Sequence, residues 1–335
     1  MKRESVLAAK WAAITAGKMC VILLLSVCLG AALLYAVYLL PTESIGLNLE
    51  DSAPVFQQEG SYPRQLNWCS STLDNFTDAL MLLTAAYEGK EPALDKAMNL
   101  YYELPMEQAP GVTKPVQGVL EYGSEAREVS VHRYTRYWGG YLIFLKPLLS
   151  VMNYQQIRIL NQILQIGVIL LLILLLKRSG CGWFILPLLI TLGLLPLLVN
   201  AQSLTYSDVF YITMGGSCAL VLKWKRWRGS EKLLFFFLIL GILTSFFDFL
   251  TYPLVSFGIP ICLYFCLEPD NSFLSSLKTL TFSGFAWSLG YAGMWSGKWG
   301  CCLIAYRERR VKGGIVLCAV PLGGLSSGGD VCSSF

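Results

Sequence analysis

Two carboxylates stand four residues apart, at Asp74 and Asp78. On a helix that spacing puts both on one face. A carboxylate pair there can hold a divalent cation or take a proton as a general base. The same spacing also suits a helix cap followed by a solvated polar face. A second cluster lies at 131–157, where Arg133 and Arg136 alternate with Tyr134, Tyr137, Trp138 and Tyr141. Guanidinium forks match phosphate oxygens well, so Arg133 and Arg136, with Trp138 beside them, are candidates to hold a lipid-linked phosphate. Tyr and Trp are equally at home at the headgroup level of a bilayer. Asp248 comes near the end of an apolar run, where an ionisable group is costly and tends to be functional, unless it has simply reached the interface. His132, the single histidine, reads as an exposed side chain rather than a catalyst. Asn75-Phe76-Thr77 matches a glycosylation acceptor, a triplet that often arises by chance.

These residues need elements to position them. The pattern of 71–88 predicts an amphipathic helix capped by Ser71 or Thr72, with Asp74 in the favourable first turn and Phe76, Leu80, Leu83 and Tyr87 on its apolar face. Gly89 ends it. Pro92 can open a second helix at its first position, with Leu94, Ala97, Met98 and Tyr101 inward. Residues 142–149 are apolar, too short to span a bilayer, and interrupted by Lys146-Pro147, which suits a helix lying in the interface. Segments 201–208 and 247–253 are expected to face the same region.

The whole chain sets the frame. It has 335 residues, 55% hydrophobic and 14% charged, with a mean hydropathy of +0.54. An ordinary soluble domain carries about 25% charged residues, so the composition excludes a soluble globular, disordered or fibrous chain and points to an all-α, polytopic membrane bundle. A span needs roughly 20 mostly apolar residues, and 19–40, 159–176, 183–200, 205–222, 233–250, 254–267 and 276–296 qualify or nearly so. The 254–267 run is short and could form a partial hairpin with 233–250. The first run is too long for a cleaved signal peptide and lacks a clear cleavage site; it reads as a retained first helix after a cytoplasmic tail at 1–18.

Charge gives the orientation. Net charge is +4, but residues 41–157 hold 14 acidic against 8 basic residues. Basic residues collect at Lys2–Lys18, at Lys177-Arg178 and at Lys223–Lys232. All three clusters fall on one side if the first helix runs from inside to outside. The N-terminus is then cytoplasmic in a plasma membrane, and 41–157 form a helical extracytoplasmic domain followed by the helices of 159–299. The basic residues follow membrane sides and give no nucleic-acid signature. The eleven cysteines form no framework: Cys20, Cys28, Cys218, Cys262 and Cys266 sit in apolar runs, and Cys69 and Cys181 fall on opposite sides. No structural zinc site is expected. From 300 to 335 the texture changes. Arg307, Arg309, Arg310 and Lys312 would lie outside, against the rule, so this tail is either a frameshifted sequence or an ordinary, poorly structured terminus.

A first helix, a long acidic outer loop and an aromatic-rich segment before the second span resemble the GT-C type of membrane glycosyltransferase. The residues that carry the resemblance are RYWGGYLIFLKPLLSVMNYQQIRILNQIL at 136–164, similar to the WPPG-YPLLLAPLL…RLLN pattern of many such enzymes, with Gly139-Gly140 in place of the usual prolines. DFLTYPL at 248–254 resembles a narrower group of uncharacterised membrane proteins of Gram-positive anaerobic bacteria. The resemblance implies a polyprenyl-phosphate sugar donor, an outer-loop acid acting as base or helping to bind a divalent cation, and an envelope acceptor. It points to Glu43, Glu50 or Asp51 by position after the first helix, whereas Asp74 and Asp78 have the better local context. Arg136 and Trp138 fall in its aromatic segment. The chain has fewer spans than these enzymes and no C-terminal outer domain, which fits a truncated protein. The competing expectations are a non-enzymatic scaffold or subunit of an envelope assembly and, more remotely, a transporter.

Overall fold

The computed structural model describes residues 2–66, 71–124, 126–194, 199, 201–249, 251–269 and 272–311, with side chains from 10 to 302. It is mostly helical. Helix α1 (Lys2–Val37) leads into a domain of short helices, named the outer domain for its expected side, α2 (Glu43–Glu50), α3 (Ala53–Glu59), α4 (Asn75–Ala85), α5 (Ala93–Asn99) and α6 (Lys114–Leu120), with strands β1 (Tyr101–Pro105) and β2 (Val129–Arg133). Helix α7 (Leu142–Leu149) then precedes the long helices. These are α8 (Tyr154–Arg178), α9 (Ile185–Leu194) after a 3₁₀ turn, α10 (Leu204–Trp227), α11 (Glu231–Phe247), α12 (Val255–Leu267) and α13 (Phe273–Val311).

Two helices, Lys10–Val37 and Tyr154–Arg178, are long and apolar enough to cross a membrane. Leu24, Leu25, Leu29, Ile163, Ile166 and Leu170 on them are exposed. A soluble core helix would bury such side chains. Gly182–Leu194 and Val255–Leu267 are apolar but shorter. The helices fall on the apolar runs of the sequence, but α1 also takes in the stretch expected as a tail at 1–18 and α13 runs on past 296; the short helix expected at 142–149 is α7.

Contacts sort the helix ends. Lys18 on α1 pairs with Glu231 at the start of α11, Nζ to Oε1 at 2.5 Å. Arg228, after α10, pairs with Glu268, after α12, at 3.0 Å. The Cys181 thiol, after α8, lies 3.6 Å from the Cys266 carbonyl. The basic clusters around Lys18, Lys177-Arg178 and Lys223–Lys232 therefore share one end of the bundle. The outer domain sits at the opposite end: Asp78 bonds the start of α10, and the Gly140 amide donates to Phe246 O near the end of α11 at 3.1 Å. Helix α12 starts at the outer-domain end and returns to the basic end, rather than stopping part-way. Helices α11 and α13 run side by side so closely that a Cβ at Gly241 would strike the Trp287 carbonyl, and one at Gly290 the Leu238 carbonyl.

The outer domain departs from the all-helical expectation. Strands β1 and β2 pair antiparallel, Tyr102 opposite His132 and Glu103 opposite Val131. Helix α5 ends at Leu100, whose φ of +48° turns the backbone left-handed. Tyr101 thus leaves the helical face expected for it and enters a strand that opens with two tyrosines, aromatic residues that favour a pleated ribbon. Pro92 is the cap of α5 rather than its first residue. Helix α13 runs on without a break across the textural change at 299, and Cys302 still packs there, its thiol 3.5 Å from Met98 O. Residues 312–335 of the tail, and Cys69, lie outside the described residues.

Candidate functional site

The acids come first. Helix α4 starts three residues later than the sequence pattern suggested, because Asp74 itself is the cap. Its Oδ1 accepts from the Thr77 amide at 3.0 Å and its Oδ2 from the Thr77 hydroxyl at 2.7 Å. Of the face expected to be apolar, Leu83 and Tyr87 are buried but Phe76 and Leu80 only half-buried, because the domain packs round the helix and also covers Asn75, Asp78, Ala79 and Leu82.

Asp78 is fully buried. Its Oδ2 accepts from the Tyr154 hydroxyl at 2.5 Å and the Leu204 amide at 2.8 Å. Its Oδ1 accepts from the Thr205 amide at 2.9 Å and the Thr205 hydroxyl at 2.7 Å. A carboxylate has about four lone-pair sites, and here all are filled. Two of the donors are first-turn amides of α10, which have no partner within their own helix. Asp78 thus caps a helix 126 residues away in sequence. Burial pushes its carboxyl up from the ordinary range, opposed by the Tyr154 hydroxyl, the Arg158 charge and Thr205. Asp74 and Asp78 therefore do different jobs, and neither is among the residues lining the two cavities described below.

Next to Asp78 is a second knot. The Arg158 guanidinium bonds both oxygens of Glu59 at 2.9 Å and Asn75 Oδ1 at 2.7 Å, and lies 4.2 Å from the Tyr154 ring centre. Asn75 Nδ2 also donates to Gly60 O at 2.8 Å. A fully buried, fully bonded Asn75 is no glycosylation acceptor. Arg158, Tyr154 and Glu59 join α3, α4 and α8 into one polar core.

The aromatic segment divides. Trp138 presents no surface to a headgroup layer: it is completely buried, its Nε1 donating to Met294 O at 2.8 Å and its ring against Phe246 and the Lys298 ammonium. Gly139 has φ of +72°, and a Cβ on Gly140 would strike Phe246 O. Proline at 140 would also lose the amide bond to that carbonyl, which explains why glycines stand there. Arg133 and Arg136 are exposed; Arg133 lies opposite Tyr101 in the ribbon, and the Arg136 guanidinium lies 5.4 Å from the Tyr137 ring centre. Burial pushes the Tyr137 hydroxyl up, with Arg136 pulling it back and Asp248 adding to the rise. Arg136, Tyr137 and Asp248 are thus neighbours at the outer end. Asp248 is buried, and its Oδ1 accepts from the Thr251 hydroxyl at 2.6 Å and amide at 3.2 Å, holding the turn between α11 and α12.

Beside these groups lies a cavity of about 800 Å³ between α7, α8, α10 and α11. It runs from Tyr141 and Asp208 at the outer end to Trp227 and Lys232 at the basic end. Nineteen residues of α10 separate Asp208 from Trp227, roughly 28 Å of helix rise, close to the thickness of a hydrocarbon core, about 30 Å. Small residues on α10, Gly215, Gly216 and Ala219, leave it room, and Phe235, Phe236 and Leu243 on α11 make it apolar. Among the described residues Asp208 is its one lining acid, and it accepts no hydrogen bond from any of them. The charges of Asp248 and Asp78 act on it. The segment 201–208 was expected to face the region of the acids, but nothing in its spacing marked Asp208 above Asp74 or Asp78. Only the crossing of α10 past α7 brings it to the cavity.

Among the described residues no cluster of three or more His, Cys, Asp or Glu is placed to hold a metal ion, and all eight described cysteines are free thiols. No protein-family model, curated protein or solved structure matches the chain.

Proposed function

We propose that the chain is a multi-pass plasma-membrane protein of about seven spans, N-terminus inside, that transfers a sugar from a polyprenyl-phosphate donor to an envelope acceptor at the outer face, in the manner of GT-C enzymes. The observation that carries this reading is the cavity: an apolar channel about as long as a leaflet pair is thick, with one carboxylate at its outer end. A polyisoprenoid tail fits the channel, and the phosphate and sugar would emerge beside Asp208, Tyr141 and the exposed Arg136.

A general base needs a lone pair to spare. Asp78 has none, and Asp74, though each of its oxygens keeps one, is held as the cap of α4 and lines neither described cavity. Asp208 is therefore the base in this scheme, and the two hairpin acids are structural. The acceptor hydroxyl gives its proton to Asp208 as its oxygen bonds the anomeric carbon. The bond from that carbon to the phosphate oxygen breaks, and its electron pair leaves on the polyprenyl phosphate. Arg136, and Arg133 behind it, offset the phosphate charge.

The test uses membranes carrying the full chain, a photoreactive polyprenyl phosphate, and a panel of tritiated polyprenyl-phosphate hexoses. Crosslinks on Phe235 or Leu243 and consumption of a hexose donor are expected. Asp208→Asn should keep the crosslink and lose transfer. An absence of crosslinking along the channel would remove the lipid reading. Crosslinking without transfer of any donor, in wild type as in Asp208→Asn, would leave a lipid-bound scaffold.

A further inference from the structure

A second cavity, of about 230 Å³, opens at the basic end of the bundle, away from the channel. It lies between Trp11 of α1, the start of α11 at Gly229–Leu234, Tyr264 of α12 and the first turns of α13. Ser275, Thr279 and Ser283 of α13 line it. They follow i, i+4, i+8 spacing, so their hydroxyls form one stripe along a single helix face. Lys278 stands beside that stripe, exposed.

Three observations give this cavity a charge preference. Ser283 is completely buried, and its hydroxyl has no hydrogen-bond partner. A buried polar group without a partner is costly, and this one lines the cavity. The 17-residue helix α11 begins here without a side-chain cap: Ser230 gives its hydroxyl to Trp227 O at 2.9 Å. The positive end of α11 is left toward the cavity mouth. Among the described residues the acids nearby are already paired, Glu231 with Lys18 and Glu268 with Arg228. What remains is one cation, a helix N-terminus and a row of hydroxyl donors over an apolar wall of Leu233, Leu234 and Phe282.

We propose that this cavity binds the phosphate-ester headgroup of an anionic phospholipid of the inner leaflet, with Lys278, the hydroxyl stripe and the start of α11 on the phosphate and the apolar wall on the glycerol. The assignment rests on the membrane orientation proposed above. It is separate from the sugar-transfer reading, since the two cavities share no lining residue and the transfer chemistry is placed at the far, Asp208 end of the channel. Trp11 at the rim suits the headgroup level.

The experiment uses the full chain purified in uncharged detergent, with unfolding followed by tryptophan fluorescence. Dioleoylphosphatidylglycerol, dioleoylphosphatidylcholine and inorganic phosphate are added in turn to wild type, Lys278→Gln and Ser283→Ala. Phosphatidylglycerol should raise the wild-type midpoint in a concentration-dependent way, with no effect of phosphatidylcholine or phosphate. Both variants should need roughly tenfold more phosphatidylglycerol for the same rise. Ser283→Ala removes a partnerless hydroxyl, so it should fold at least as well as wild type without lipid. Equal responses in wild type and both variants would overturn the site. An equal rise with phosphatidylcholine would overturn the charge preference, and full protection by inorganic phosphate would overturn the lipid source. Alkaline carbonate extraction is the separate control: release of the chain would overturn the membrane reading itself.

Discussion

Asp78 and Asp208 show how differently two carboxylates of one protein can be used. Asp78 has four donors and no access to solvent. Removing one partner of a buried charged network costs about 3–5 kcal/mol, so Asp78→Ala should unfold the outer domain or lower its melting midpoint by many degrees. Asp78→Asn should do nearly the same, because its amide turns a donor toward a donor. Asp74→Ala removes only a helix cap and should cost about 1 kcal/mol. Asp208→Asn has no hydrogen bond to lose, and its melting midpoint should stay close to wild type while sugar transfer fails. Thermal unfolding of these variants in detergent, set beside transfer in membranes, checks the contrast. If Asp78→Ala folds normally and alone abolishes transfer, the roles of the two carboxylates are reversed.

Helix α7 is the element that joins outer domain and channel. On one side Phe144, Leu145 and Leu148 line the channel. On the other, Lys146 is completely buried, its ammonium donating to Ala85 O at the end of α4 at 2.6 Å and lying 5.0 Å from the Tyr38 ring centre. Burial lowers the Lys146 amine to about 8, with Lys96 adding to the fall and Glu88 opposing it. Between that value and the unfolded value near 10.4, the unfolded chain binds the extra proton. Stability should therefore rise as pH climbs from about 8 to 10, by up to about 3 kcal/mol, and stay level below 8. Lys146→Met should flatten that slope, and the difference between the two pH–stability curves isolates it. Helix contact makes the other prediction at this scale. Valine at Gly290 cannot fit against the Leu238 carbonyl, so Gly290→Val should separate α11 from α13. Loss of the monodisperse peak in size-exclusion chromatography would report it, and a normal peak would refute it.

For the molecule as a whole, the two ends of the bundle carry different chemistry, basic groups at one and the outer domain at the other. In a variant whose native cysteines are replaced by serine or alanine, a cysteine placed at exposed Glu107 should react with an impermeant maleimide on intact cells, and one placed at Lys225 only after lysis. Equal labelling of both would contradict the proposed orientation. The sequence by itself determined the helical class, the apolar stretches, the grouping of basic residues and the short helix at 142–149, because these depend on local composition and on periodicities of a few residues. It did not reveal the β1–β2 ribbon, since pairing Tyr102 with His132 joins residues thirty apart. It could not separate the acids either. Asp74, Asp78 and Asp208 look alike in sequence, and their differences come from donors and walls supplied by distant segments: Tyr154 and Thr205 for Asp78, the crossing of α7, α8, α10 and α11 for Asp208. Trp138, Gly139 and Gly140 gained their meaning only where they meet Phe246 and Met294. Local propensity needs only neighbours in sequence, whereas the state of a carboxylate is set by whatever the fold brings within hydrogen-bond reach.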